Sequence, residues 1–444
     1  MLDTLGKVYS VIDSGKKDIS PYKDAFSLIR SIGEENNAVQ VEMAHYLRGK
    51  VADGMRANDG WFRSELFGLY RSILCYAAPG CFDDFMLYTE INRPPENQFW
   101  LPRRKILLPT AKMLEDLENG ELDEGFISMP PRKGKTGIVK MFVAWVILRD
   151  SERSNLYSTY SDTVAKTFFE GLLEIFTDSA TYAWKDIFPA ERLVHTDAKD
   201  SRIDFDRRKA YSSFTGRSLY GSLNGTCDAS GYQIMDDPHS GIEEAMNRDR
   251  LDAAWRHVEN DFMTRQSRDK ITRLWIGTRW SLYDVLARRM DSLTNDPEFK
   301  DIRWKEIRIP ALNDKDESNF EYDYGKGTTT QSFKQIRSSF ERNNDIASWN
   351  AQFQQEPIER QGAVFNPQDM SFYNGVLPEE PPDRVFMGVD PAWGGGDFVA
   401  APVCYQYGND IYVQDVVYTA EDKRISQPAI VNMVKKHNVA AITF

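Results

Sequence analysis

Apolar residues recur at three-to-four spacing over residues 24–32, 37–55 and 61–76, a period that predicts amphipathic helices. Pro79-Gly80 and Pro94-Pro95 interrupt it, so residues 1–95 read as a helical N-terminal region. From about 96 to 345 the pattern changes. Short apolar runs at 125–129, 155–160, 232–235 and 273–277 alternate with helical segments, which predicts a mainly parallel sheet. Residues 346–382, with Pro357, Gly362, Pro367 and a proline–glutamate cluster at 378–382, read as a linker or hinge. A second α/β pattern fills 383–444. It has a strand at 385–389, a hairpin of 398–407 and 411–417 about Gly408-Asn409, a helix over 426–437 and a strand from Val439 to Phe444. The expected fold class is α/β.

The sharpest local signal is Ser128-Met129-Pro130-Pro131-Arg132-Lys133-Gly134-Lys135-Thr136, between a strand and a long apolar helix. Phosphate binding at such a junction needs inward N–H groups at the helix start, a lysine for the outer phosphates and a hydroxyl for Mg²⁺. Arg132, Gly134, Lys135 and Thr136 are the candidate nucleotide ligands, with Thr136 also on the metal. Met129 stands where GxxxxGK[ST] has its first glycine, and Pro130 and Pro131 donate no N–H.

About 100 residues on, a strand over 232–235 runs into Asp236-Asp237. Adjacent carboxylates repel, and a bound metal is one reason to tolerate them. A plain Asp-Asp-Pro surface turn is the alternative. A third strand delivers Thr278 and Arg279 to its C-terminal end, where α/β sheets place ligands. Thr278 is a candidate to sense a γ-phosphate and Arg279 to stabilise its charge; a sheet strand with a capping arginine is the alternative.

Composition narrows the picture. The 444 residues suggest two to four domains, and 41 % hydrophobic with 27 % charged residues excludes a disordered or fibrous chain. No stretch approaches a membrane span, and residues 1–13 lack a secretory apolar region, so an intracellular protein is expected. The net charge of −12 argues against non-specific coating of nucleic acid. Basic clusters at 103–105, 207–209 and 265–273 either face a channel or are solvated faces. Cys75, Cys81, Cys227 and Cys404 are too scattered for a disulfide framework or a zinc site, and the five histidines read as isolated.

These pieces, in this order, resemble the large terminase subunit of tailed bacteriophages. The resemblance is carried by 129–136, 156–161, 234–238, 276–285, Trp-Asn-Ala-Gln-Phe-Gln-Gln-Glu-Pro at 349–357 and Gly388-Val389-Asp390-Pro391-Ala392 with Asp397. It covers roughly 96–444. It implies a P-loop ATPase of the ASCE type over 96–345 and the start of an RNase H-like nuclease over 383–444. The implied activity is ATP-driven translocation of double-stranded viral DNA into a procapsid, with metal-dependent cutting of concatemers. Implied cofactors are ATP with Mg²⁺, and Mg²⁺ or Mn²⁺ for the nuclease. Implied partners are double-stranded DNA, a portal protein, a small terminase subunit and further copies of the chain in a ring. The setting would be the host cytoplasm and, transiently, the procapsid.

By the same resemblance Asp236 holds Mg²⁺, Asp237 activates water and Thr278 couples hydrolysis to movement. Glu243 and Glu244 are the alternatives to Asp237 as base, and Arg132, Arg265 and Arg279 are candidates for a trans-acting arginine. Asp390 and Asp397 would hold the nuclease metals, with Asp390 catalytic. A further carboxylate is expected soon after Phe444, so this chain alone is expected not to cleave DNA. Two other readings are a different nucleic-acid motor such as a helicase, and a non-catalytic docking scaffold.

Overall fold

The apolar stretch at 135–149 is hydrophobic around its whole circumference, so a helix there must be enclosed on all sides. In the computed structural model it is the central helix Lys135–Arg149, with residues from Ile138 to Leu148 almost all buried. The structure describes residues 2–32, 38–221, 223, 227–358, 371–391 and 398–443. The chain divides into two compact units, Met1–Arg360 and Gln361–Phe444.

The first unit is built on eight strands: β1 (Glu124–Ser128), β2 (Asn155–Thr159), β3 (Leu193–Asp197), β4 (Arg202–Phe205), β5 (Phe214–Ser218), β6 (Tyr232–Asp236), β7 (Thr272–Gly277) and β8 (Trp304–Arg308). Their order is β3-β4-β5-β2-β6-β7-β1-β8. The run from β5 to β8 is parallel throughout, and β4 pairs antiparallel with both β3 and β5. Parallel strands covered on both faces need continuous apolar runs, and β1, β2 and β6 are buried at every position.

Local signals set the helix starts. Ser161 accepts the Val164 N–H at 3.3 Å to begin Asp162–Thr177, and Asp284 accepts the Ala287 N–H at 2.8 Å to begin Val285–Asn295.

The N-terminal helices differ modestly from the periodicity. They span Leu2–Asp13, Ser20–Arg30, Ala38–Ala57 and Gly60–Ala77, and they enclose a hydrophobic cluster of their own. Phe82–Thr89 and Trp100–Glu118 then pack on the sheet-bearing core. The segment expected to begin the linker is folded instead. Ile346–Gln352 is a helix whose buried Trp349 stacks on Phe353 at 4.8 Å beside Phe333 and Phe340, so aromatic burial outweighs the linker-like composition. Short strands β9 (Glu321–Tyr322) and β10 (Lys326–Gly327) form a hairpin before the helix Thr330–Arg342.

The second unit carries β11 (Arg384–Gly388), β12 (Val399–Tyr407), β13 (Asp410–Thr419), the helix Lys423–His437 and β14 (Ala441–Thr443). The order is β13-β12-β11-β14, with β14 parallel to β11 and the other pairs antiparallel. The hairpin turn uses Gly408 at φ +58°, a conformation glycine adopts without strain. Among the described residues no helix is long and apolar enough to cross a membrane.

Candidate functional site

Because β6, β7 and β1 lie side by side and run parallel, residues just beyond their C-terminal ends are brought together at one edge of the sheet. After β1 the chain turns through Pro130–Gly134 into the central helix. Arg132 sits at φ +62° and Gly134 at φ +103°, both in the left-handed region. At Gly134 this conformation favours glycine strongly, while Arg132 accepts it as a strained non-glycine. A Cβ on Gly137 would lie 2.4 Å from the Phe99 ring, so the first helical turn is packed too closely for any side chain there.

The loop is braced from behind. Tyr322 donates its hydroxyl to the Lys133 carbonyl at 2.6 Å, and the Lys133 amine bonds to Thr328 and lies over the Phe333 ring. Arg103 spans the Phe99 and Tyr322 rings.

Lys135 is 5 % exposed. Its amine donates to Thr278 Oγ1 at 2.7 Å and to the Met129 carbonyl at 3.1 Å, and it lies 3.6 Å from Asp237 Oδ1. Thr136 Oγ1 donates to Asp236 Oδ2 at 3.1 Å, and the Tyr157 hydroxyl donates to the same oxygen at 2.9 Å. Asp237, at φ +43°, accepts the Thr278 N–H on Oδ1 at 3.1 Å, which locks β6 to β7 beyond the sheet. Asp237 remains about a third exposed, whereas Asp236 is enclosed. Gly134, Lys135, Thr136, Asp236, Asp237 and Thr278 therefore form one cluster. Arg132 is exposed at its rim.

Electrostatics separate the two aspartates. Burial first, and the neighbouring Asp237 charge second, raise the Asp236 carboxyl against the opposing pull of Lys135. Its Oδ1 is buried with no hydrogen-bond partner among the described residues. An unpaired buried carboxylate oxygen beside a threonine hydroxyl suits a hard divalent cation such as Mg²⁺.

The alternative acids are differently placed. Glu244 is buried and accepts from Ser240 N at 2.9 Å, Ser240 Oγ at 2.7 Å and the Tyr220 hydroxyl at 3.1 Å. Burial works to raise its carboxyl, but hydrogen bonds from His239 and Ser240 outweigh that and bring it down to about 2. Glu243 is exposed on a short helical turn. Arg279 is not an extended side chain. It is 8 % exposed, its guanidinium lies 3.3 Å from Asp284, and its N–H is held by Gln355. Arg265 donates to the adjacent Thr264.

Sequence reading missed several supports. Tyr157 lies within an apolar strand and gave no polar signal. Glu124 opens β1 fully buried, bound by Arg289 at 2.5 and 3.0 Å, by the Trp275 indole at 2.8 Å and by Arg273 at 3.4 Å. Only the position of a glutamate inside an apolar strand run could have flagged it.

In the second unit Asp390 directly follows β11 and Val389. Its side chain is exposed, and its backbone exchanges hydrogen bonds with Ala400 at 2.8 and 3.2 Å. Asp397 lies outside the described residues.

No family model and no curated protein matches the chain. Among solved structures it is similar to the HK97 bacteriophage large terminase, with 12 % identity and a TM-score of 0.39 over 77 % of this chain and 69 % of that one. It is also similar to the large terminase of a thermophilic bacteriophage in complex with ATP-gamma-S, with 11 % identity and a TM-score of 0.34 over 75 % and 81 % of the two chains.

Proposed function

We propose that the chain is a nucleotide-driven DNA-packaging motor, an ATPase of the large terminase type whose second unit belongs to a metal-dependent nuclease. The observation that carries the ATPase reading is the convergence of Lys135, Thr136, Asp236, Asp237 and Thr278 from three adjacent parallel strand ends. A lysine, a helix N-terminus and a bound divalent cation together neutralise a polyphosphate. In this reading the N–H groups of Arg132–Thr136 and the Lys135 amine hold the phosphates. Thr136 and Asp236 hold Mg²⁺, which supplies charge neutralisation and leaving-group stabilisation.

Asp237 is the group suited to orient the attacking water. It is ionisable, partly exposed and fixed by the Thr278 N–H, whereas Glu244 is fully engaged by its own partners. Thr278 joins the same site to β7, so a change at the phosphate end moves the centre of the sheet. The motor reading, with double-stranded DNA, a portal protein, a small subunit and a ring of copies as partners, is supported by the sequence resemblance.

The nuclease reading is supported by the sheet order β13-β12-β11-β14 and by Asp390 at the end of its central strand β11. Mg²⁺ or Mn²⁺ would bind there with Asp390 and Asp397 as ligands.

The test is ATP hydrolysis by the purified chain with and without double-stranded DNA, portal and small subunit. Mg²⁺-dependent hydrolysis that DNA or the partners stimulate supports the reading. Absence of hydrolysis in every combination overturns it.

A further inference from the structure

The N-terminal helices meet the sheet-bearing core at a seam that gathers a second set of ligating groups, away from the strand ends. His45 stands on the helix Ala38–Ala57, Cys81 precedes the helix Phe82–Thr89, and Asp84 lies in that helix's first turn. One ligand atom from each lies within 4.8 Å of the others. His45 Nε2 is 2.6 Å from Asp84 Oδ2, and Cys81 and Asp84 are buried. Cys81 belongs to the N-terminal hydrophobic cluster, while the adjacent Phe82 and Phe85 belong to the main core.

The charges around these residues do not balance. Asp83, Asp84 and Glu115 supply three carboxylates, and Arg48 and Arg104 supply two guanidiniums. Arg104 forks onto Asp83 with two bonds of 2.8 Å, Arg48 spans Asp83 and Asp84, and Glu115 accepts the Phe82 N–H at 2.9 Å. With His45 neutral, as a metal-bound imidazole is, one negative charge is left over beside the buried Asp83 and Asp84. Surplus charge beside buried carboxylates is costly, and a bound cation would offset it.

We propose that His45, Cys81 and Asp84 bind a zinc ion that fastens the N-terminal helices to the sheet-bearing core. A thiolate, an imidazole and a carboxylate are a zinc donor set rather than one for Mg²⁺ or Ca²⁺. On binding, the Cys81 thiol gives one proton to solvent and its sulfur coordinates. The neutral His45 moves the proton that Nε2 directs at Asp84 to Nδ1 and coordinates through the freed Nε2. Asp84 contributes one oxygen and retains Arg48 on the other, and water completes four-coordination. The surplus carboxylate charge and the new thiolate together equal the two positive charges of the ion. This site is independent of the nucleotide reading.

The full chain, stripped with chelator and without nucleotide, is titrated with Zn²⁺ and separately with Co²⁺. One Zn²⁺ per chain, a higher melting temperature with Zn²⁺, and a thiolate-to-cobalt charge-transfer band are expected. His45→Gln and Cys81→Ser should each weaken zinc binding at least about tenfold, while Cys75→Ser leaves it unchanged. Should Cys81→Ser fail to fold, His45→Gln decides, because its side chain is a third exposed and its fold can be verified by circular dichroism. Wild-type chain that takes up no zinc overturns the proposal. So does folded His45→Gln that binds zinc as tightly as wild type.

Discussion

Lys135 and Thr278, 143 residues apart in the chain, share a 2.7 Å hydrogen bond between the ends of two neighbouring strands. The strands pair in register up to Ser128 and Gly277, so the contact follows from the sheet rather than from flexible loops. The amine is held on Thr278, the Met129 carbonyl and Asp237. A phosphate at the helix N-terminus would draw it away from those partners, and Thr278 would register the change.

Lys135→Ala should abolish ATP hydrolysis and leave the circular dichroism spectrum unchanged. The amine is the charge nearest the proposed phosphate position, and its removal takes no part of the sheet core. Hydrolysis at the parent rate would show that the loop is not the catalytic site.

Thr278→Val keeps the shape of the side chain and removes its hydroxyl. Turnover should fall by roughly 10²-fold, the usual cost of losing one polar group from a charge-stabilising site. Nucleotide affinity should stay within a factor of a few, and Thr278→Ser should recover most of the rate. Steady-state kinetics and nucleotide titration on the three proteins check this.

The two aspartates should separate by role. Asp237→Asn should keep Mg·ATP affinity and lose about 10²–10⁴-fold in turnover, because an amide cannot accept a proton from water. Asp236→Asn should lose the Mg²⁺ dependence of nucleotide binding itself. Equal loss of binding in both variants would contradict the assignment.

Asp236→Asn should also stabilise the protein in chelator. The Asp236 carboxyl is raised by burial and by Asp237, so its folded pKa exceeds its unfolded one. The contribution it makes to stability is complete below the ordinary carboxylate pKa of about 4 and is lost as pH rises through the raised value. The variant lacks that loss. Its melting temperature should exceed wild type by a few degrees at neutral pH and the gap should close in acid. A gap independent of pH would refute this.

Glu124→Ala removes the acceptor for Arg289, Arg273 and Trp275 and leaves a buried guanidinium uncompensated. Breaking a buried pair from one side costs about 3–5 kcal/mol, measurable by denaturant titration. A cost below about 1 kcal/mol, the level of an exposed pair, would mean that water reaches the site.

How legible this was depended on how local each signal is. The strands at 125–129, 155–160 and 273–277 lie within a residue or two of β1, β2 and β7, because buried parallel strands are written as continuous apolar runs. The strand-to-helix junction at Gly134-Lys135-Thr136 was legible because an apolar strand run precedes it and an apolar helical run follows it. Strands β3 and β4 carry weak alternation beside charged residues and did not stand out. Tyr157, Tyr322 and Glu124 act through partners tens to hundreds of residues away, which no spacing records. His45 and Cys81 read as isolated because helix packing, not sequence proximity, brings them to Asp84. Arg279 read as available until its pairing with Asp284 was visible.

The loop between β1 and the central helix has its shape before any ligand arrives. Pro130 and Pro131 fix two backbone torsions, Tyr322 pins the Lys133 carbonyl, and the Lys133 amine is tied to Thr328. The conformational entropy of ordering this segment is therefore spent during folding and not at each encounter with a ligand. In the proposed nucleotide cycle, a loop braced on both sides would favour release through displacement of the strand tips or of the hairpin behind it, and the rate of departure would then follow the sheet.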